Sequence, residues 1–150
     1  MSLPIYILNG PNLNLLGQRE PEIYGTTTLD QIEDMCEKRA LSASLATVFR
    51  QTNSEGELVD WIQEAGTHAA GLILNAAAYT HTSVAVLDAL TNLDIPIIEV
   101  HLSNIFQRED FRHHSFVSPA STGVICGLGA QGYERAIDAL IDILGAKSAS

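Results

Sequence analysis

The chain has 150 residues, 46% of them hydrophobic and 17% charged, a size and balance that suit one globular domain. Eight Lys and Arg against 18 Asp and Glu give a formal net charge of -10, which opposes nucleic-acid binding, because that binding works by cations displacing counterions from phosphate. No apolar run approaches the ~18 residues of a membrane span, and the opening stretch, broken by Pro4 and lacking a basic leader, predicts a soluble, cytoplasmic protein with no membrane partner.

In chain order, short β-branched runs alternate with helical patterns. A first strand is expected over residues 4–9, followed by a long connection over 10–25 that holds Pro11, Gly17 and Pro21. Thr28 with Gln31 three residues on reads as a capping box opening a helix through Leu29, Ile32, Cys36 and Ala40. A second strand over 45–51 precedes Ser54 and Glu57, a second capping box, which opens a helix through Leu58, Ile62 and Ala65. The third strand, over 70–75, leads to a helix over about 82–93, and the fourth, over 96–101, leads to another long connection over 102–121. A fifth strand over 122–127 and a helix over about 130–144, with Tyr133, Ile137, Leu140, Ile141 and Leu144 as its apolar stripe, complete the series.

This rhythm predicts an α/β, flavodoxin-like fold: a five-stranded parallel sheet in order 2-1-3-4-5 with helices on both faces. No composition break or repeat marks a domain boundary, so residues 1–150 read as a single catalytic domain. Ligands in such folds bind beyond the carboxyl ends of the strands, where strands one and three diverge. Both long connections start at strand ends, and loops of that length are usually functional.

Several chemistries can be weighed from the strand ends. The string GlyLeuGlyAlaGlnGly at 127–132 matches a dinucleotide-binding pattern, but only 18 residues follow Gly132, with no second strand to complete the unit; a tight turn needing positive φ and close packing fits better. A flavin or nucleotide module remains the rival reading there, and a purely structural assembly protein a weaker one. A phospho-receiver needs carboxylates after the first and third strands, where this chain has Asn9, Gly10, Pro11 and Asn75, Ala76, Ala77, and no GxSxG hydrolase elbow is present. Cys36 and Cys126 show no metal or disulfide spacing and read as buried free thiols. No His pair has ligand spacing either, His113 and His114 pointing apart on an extended segment, so neither metal nor cofactor is expected.

A polar set gathers at the expected crevice: Asn9, Asn12 and Asn14; Asn75, Thr80, His81, Thr82 and Ser83; Glu99, His101 and Ser103. Glu99 and His101, two apart on a strand, leave the same face, so the carboxylate can fix the imidazole tautomer and favour its protonated, acid form. Five of the eight basic residues are arginines outside any charge run, and Arg19, Arg108 and Arg112 lie in the long connections. Asp88 is a lone acid on an otherwise apolar helix, whose extent of apolar surface points to contact with another subunit.

The strings LeuAsnGlyProAsnLeuAsnLeuLeuGly (8–17), ArgGluProGluIleTyrGly (19–25), AlaTyrThrHisThrSer (78–83) and GluValHisLeuSerAsn (99–104) resemble the type II 3-dehydroquinate dehydratases over essentially the whole chain. The resemblance implies cofactor-free anti elimination of water from 3-dehydroquinate to 3-dehydroshikimate, in the shikimate pathway or quinate breakdown, by a dodecamer of four trimers. By position, Tyr24 resembles the base, Arg19 its activator, Asn12 the holder of the enolate oxygen with a water, and His101 the acid. Asn75, His81, Leu102, Ser103 and Arg112 match substrate-binding positions, Arg108 a second loop arginine, and Asp88 an acid reaching a neighbouring subunit. The chain departs at Ala76 and Ala77, where many members carry Pro or Gly, which bears on the turn presenting His81.

Elementary electrostatics agrees with several arginines near the base. Ionising a phenol of ordinary pKa about 10 at pH 7 requires roughly 4 kcal/mol. One cation at ~4 Å and effective dielectric ~20 supplies roughly 4 kcal/mol, before desolvation acts the other way. One arginine barely suffices; Arg19 is the first candidate, with Arg108 or Arg112 as the expected helper.

Overall fold

The computed structural model describes residues 2–149, and side chains as far as residue 145. β1 (Ile5–Asn9), β3 (Gly71–Asn75) and β4 (Ile97–His101) are buried along their whole lengths, while β2 (Thr47–Gln51) and β5 (Gly123–Cys126) form the half-exposed edges. Central strands of a parallel sheet covered on both faces are apolar along most of their length, and here the polar exceptions, Asn9, Asn75, Glu99 and His101, fall at or near the carboxyl ends. The sheet is parallel in order β2-β1-β3-β4-β5, so the expected topology is the observed one.

Strand parity divides the core into two layers. Ile5 and Ile7 of β1, Ile73 of β3, and Ile98 and Val100 of β4 pack with Ile32, Cys36 and Ala40 of α2 (Leu29–Leu41) and with Tyr133, Ile137 and Leu140 of α5 (Gln131–Ala149). Their alternates Tyr6, Leu8, Leu72, Leu74 and Ile97 pack with Leu58 and Ile62 of α3 (Glu55–His68) and with Val86 and Leu90 of α4 (Val84–Thr91). The same parity assigns the last residues of the strands: Asn9 and Asn75 to the α5 side, Glu99 and His101 to the α4 side.

The helix starts are set by side-chain caps. Thr28 and Gln31 form both arms of the capping box, at 3.2 and 2.9 Å. Ser54 accepts from the Glu57 N–H at 3.2 Å, but the second arm expected there does not form, because Thr52 Oγ1 already takes the Ser54 N–H at 3.0 Å. The helix expected over 82–93 is shorter, since Ser83 caps it by accepting from the Val86 N–H at 2.9 Å.

The two long connections are not irregular. The first contains a 3-10 turn, Leu13–Leu15, and a four-residue helix α1 (Pro21–Tyr24); the second contains three 3-10 turns, Ile105–Gln107, Asp110–Arg112 and Ser118–Ala120. Among the described residues no helix is long and apolar enough to cross a membrane. Cys36 is buried as expected, its thiol pushed up to about 12 by burial, but Cys126 on the edge strand is only half-buried, which corrects the expectation of two buried thiols.

Candidate active site

The carboxyl ends of β1, β3 and β4 open into one cleft. Its lining includes Asn12, Arg19, Tyr24, Asn75, His81, His101, Leu102, Ser103, Arg108 and Arg112. These are ten of the twelve residues expected to have catalytic, binding or supporting roles. Glu99 lies directly behind His101, and Asp88 alone stands apart, exposed on α4.

The floor depends on close approach of two strand ends. A Cβ on Gly10 would come within 2.3 Å of the Ala76 carbonyl oxygen, so only glycine lets the turn after β1 bond to β3, through Gly10 N–H to the Asn75 carbonyl at 2.8 Å. Asn12 follows in the left-handed region (φ 69), which asparagine tolerates. Asn53 Oδ1 takes its backbone N–H at 2.9 Å, and Gln51 Nε2 donates to both Gly10 O and Asn53 Oδ1 at 3.1 Å. The end of β2 therefore holds the turn that presents Asn12.

Ala77 is also left-handed (φ 52). A non-glycine residue there costs about 1–2 kcal/mol, against 0.5–1 kcal/mol of extra chain entropy for glycine. This gives physical content to the departure noted at 76–77. Ala77→Gly is expected to raise stability by about 0.5–1 kcal/mol, seen as a Tm increase of roughly 2 °C.

The first long connection folds over the cleft and delivers Tyr24, the last residue of α1. Pro21 opens this short helix, and Glu20 before it (φ 41) and Gly25 after it (φ 79) are both left-handed. Arg108 Nη1 donates to Tyr24 Oη at 2.9 Å, while the guanidinium carbons of Arg19 and Arg108 each lie 5.3 Å from the centre of the Tyr24 ring. Tyr24 thus sits between two cations. The residue that bonds its hydroxyl is Arg108, while Arg19, the first candidate beside the base, stacks on the ring and pairs with Glu20 at 3.6 Å.

The second connection is pinned from within. His113 Nε2 donates to the Arg108 carbonyl at 3.0 Å, and Glu109 pairs with Arg112 Nε. His113 sits in the helical region after the Asp110–Arg112 turn, not on the extended segment expected for it. His114 meets Phe116 edge-on, and its carbonyl accepts from His81 Nδ1 at 2.8 Å. Burial holds His81 below the ordinary imidazole range, only partly offset by that bond, so the ring is neutral with Nε2 as an acceptor.

His101, 4% exposed, bonds Glu99 Oε2 through Nε2 at 2.5 Å, which leaves Nδ1 as its second polar atom. Glu99, 1% exposed, also accepts from Ser115 at 2.8 Å and from Ser118. Burial alone would push its carboxyl up; the hydrogen bonds from His101, Ser118 and Ser115 outweigh it and hold it below the ordinary carboxylate value. The His101 and His81 rings stack with centroids 6.3 Å apart.

Other members of the expected polar set serve the fold. Asn9 lies buried beneath the cleft, Asn14 is 3.5 Å from Gln51, Ser83 caps α4, Thr82 bonds back to the Ala78 carbonyl, and Thr80 is buried, its hydroxyl without a partner among the described residues. Conversely, Ser115, Ser118, Gln51, Asn53 and Tyr133 support the site without having been singled out for it. Gly127 (φ 87) and Gly129 (φ 64) form the positive-φ turn expected between β5 and α5, with a Cβ on Gly127 only 3.1 Å from Asn104. Gly132 needs neither, having ordinary room for a Cβ. Among the described residues no three His, Cys, Asp or Glu come together in a metal-binding group.

Known proteins resemble this chain in sequence and fold. Residues 3–141 match the family described as dehydroquinase class II. Curated relatives named 3-dehydroquinate dehydratase include one from Caulobacter sp. (strain K31), 57% identical over 146 residues, covering 97% of this chain and 99% of that protein. Another, from Hyphomonas neptunium, is 60% identical over 145 residues and covers 97% of each. The crystal structure of type II dehydroquinase from Propionibacterium acnes superposes with a TM-score of 0.90 at 47% identity, over 95% of this chain and 98% of that one. With the family matched over residues 3–141 and relatives 57% and 60% identical over 97% of its length, the chain belongs to the dehydroquinase class II family.

Proposed function

We propose that this single catalytic domain dehydrates 3-dehydroquinate to 3-dehydroshikimate by anti elimination through an enolate, using its own side chains as base and acid. The observation that carries the mechanism is the pairing of Tyr24 with two guanidiniums in the same cleft as a histidine backed by a buried carboxylate. The guanidiniums stabilise a phenolate at Tyr24, which removes the proton α to the ketone. The electron pair moves onto the carbonyl oxygen, where Asn12, with a water, supplies donors to the enolate. Collapse of the enolate forms the C=C bond and expels the hydroxyl, which leaves as water on taking a proton from His101. Glu99 on Nε2 stabilises the imidazolium and sets its orientation, so that Nδ1 is the delivering atom.

Arg112, Ser103, Leu102, Asn75 and His81 hold the substrate, whose carboxylate suits the cationic cleft. The overall charge of -10 does not prevent this, because charges beyond ~8–10 Å are screened while Arg19, Arg108 and Arg112 act at contact range. The α1 segment acts as a lid, bringing base and activator together and excluding water. The exposed carboxylate of Asp88, on an α4 surface that also exposes Val84 and Ala85, reaches a neighbouring subunit's site within a dodecamer of four trimers. We place the reaction in the cytoplasm, in the shikimate pathway or quinate breakdown.

The direct test adds 3-dehydroquinate to metal-stripped protein and follows the ultraviolet absorbance of the conjugated enone. Absorbance is expected to rise with enzyme concentration; folded oligomer that gives no signal sinks the reading. Light scattering in line with size exclusion is expected to return twelve times the chain mass, and a monomeric or dimeric protein with full activity would remove Asp88 from the site.

A further inference from the structure

Asn9 and Asn75 are register neighbours at the ends of β1 and β3, and parity turns both toward α5. Tyr133, in the first turn of α5, is fully buried against them. Its hydroxyl donates to Asn9 Oδ1 at 2.7 Å and accepts from Asn75 Nδ2 at 2.9 Å. Asn9 Nδ2 in turn donates to the Arg50 carbonyl at 3.0 Å, and Asn75 Oδ1 accepts from the Ala77 N–H at 3.2 Å.

These bonds can run in only one direction. The Arg50 carbonyl is fixed by the sheet and accepts only, so Asn9 must turn its nitrogen to it and its oxygen to Tyr133. A hydroxyl has one proton, so Tyr133, having given it to Asn9, meets Asn75 with a lone pair. Asn75 must then present its nitrogen to Tyr133 and its oxygen to Ala77. Among the described residues the second N–H of the Asn75 amide has no partner, on a residue that lines the cleft.

We propose that Tyr133 is a positioning residue that sets the amide orientation of Asn75, so that Asn75 meets the substrate as a hydrogen-bond donor to one of its oxygens. This rests on the reading of Asn75 as a substrate contact. It assigns to α5 a part in recognition although Tyr133 is absent from the cleft lining, and it makes Asn9, equally remote, part of the same device. A buried tyrosine that merely satisfied its own hydroxyl would affect stability and leave substrate affinity alone.

Steady-state kinetics with 3-dehydroquinate on a small set of variants decides between these. Tyr133→Phe is expected to raise KM about tenfold with kcat within about threefold, the signature of lost uniform binding equal to one hydrogen bond. Asn9→Ala frees the Tyr133 proton to turn toward Asn75 and is expected to raise KM by a similar factor; it carries the test if Tyr133→Phe does not fold. The double variant Tyr133→Phe/Asn75→Ala is expected to match Asn75→Ala within about twofold, because both act through one contact. Ile137→Val, buried on the same helix, is the stability control, expected to lower Tm with KM unchanged. A fall in Tm with unchanged KM in both Tyr133→Phe and Asn9→Ala overturns the proposal, as do multiplicative KM effects in the double variant. An unchanged KM in Asn75→Ala removes the substrate contact itself and the proposal with it, whereas a wild-type protein that does not turn over 3-dehydroquinate fails at the earlier step.

Discussion

Tyr24→Phe is expected to lower kcat by about 10³-fold while KM stays within a few-fold, since losing a positioned general base typically removes 10² to 10⁴. The substitution deletes one oxygen from a half-buried ring and keeps its packing between Arg19 and Arg108, each 5.3 Å from the ring centre. Arg108 loses its 2.9 Å acceptor but remains at the cleft, so binding of an anionic substrate survives. Near wild-type turnover by a folded Tyr24→Phe variant would falsify the assignment of the base. The arginines provide the companion measurement. Arg19→Ala and Arg108→Ala each leave the base one cation short, so kcat is expected to fall in both, with little further loss when either is combined with Tyr24→Phe. If only Arg108→Ala lowers kcat, stacking by Arg19 contributes orientation and not charge stabilisation.

How much of this was legible beforehand varies with the range of the interaction. β1 and β3 announce themselves because strands buried on both faces carry apolar runs up to their last residue, β4 because Glu99 and His101 alone interrupt its apolar residues, and α2 because its capping box is written within four residues. Glu99 and His101 pair because strand periodicity alone puts them on one face. The Tyr24 to Arg108 bond spans 84 positions, and Glu99 to Ser118 spans 19 across a loop. Local pattern says nothing about either: it brings forward Arg19, only five residues from Tyr24, and gives no sign of Ser115 or Ser118. Tyr133 was legible only as one member of an apolar stripe, since its hydroxyl matters through partners 58 and 124 positions away. The 3-10 turns of the long connections were hidden for another reason: single turns of three residues have no periodicity to read.

Glu99→Gln is the second large effect, and it separates stability from chemistry. Every described hydrogen bond to this carboxylate comes from a donor: His101 and Ser115 to one oxygen, Ser118 to the other. Glutamine can keep an oxygen toward His101 and Ser115 and turn its NH₂ to Ser118, whose hydroxyl can accept, so in a position 1% exposed the substitution removes chiefly the buried charge that faces His101. Breaking a buried charged pair costs roughly 3–5 kcal/mol, and the amide's remaining oxygen places this variant near 3 kcal/mol, a Tm loss of about 6–12 °C for a chain of this size. The sign of the pH dependence follows from the direction of the shift. Glu99 is held below its ordinary value of 4.5, so its contribution is fully present above that pH and lost as pH falls through the lower folded-state value. The stability gap between wild type and Glu99→Gln, measured by urea unfolding, is therefore expected to narrow as the pH falls below 4.5. A gap that widened on acidification would mean the carboxyl is protonated in the native protein and His101 has no anionic partner. For catalysis the expected loss in kcat is about 10²-fold or more, because the imidazolium at His101 loses the charge that stabilises it. Ser118→Ala, which leaves the charge in place, is expected to lose far less, so the two together distinguish the ion pair from the mere filling of the site.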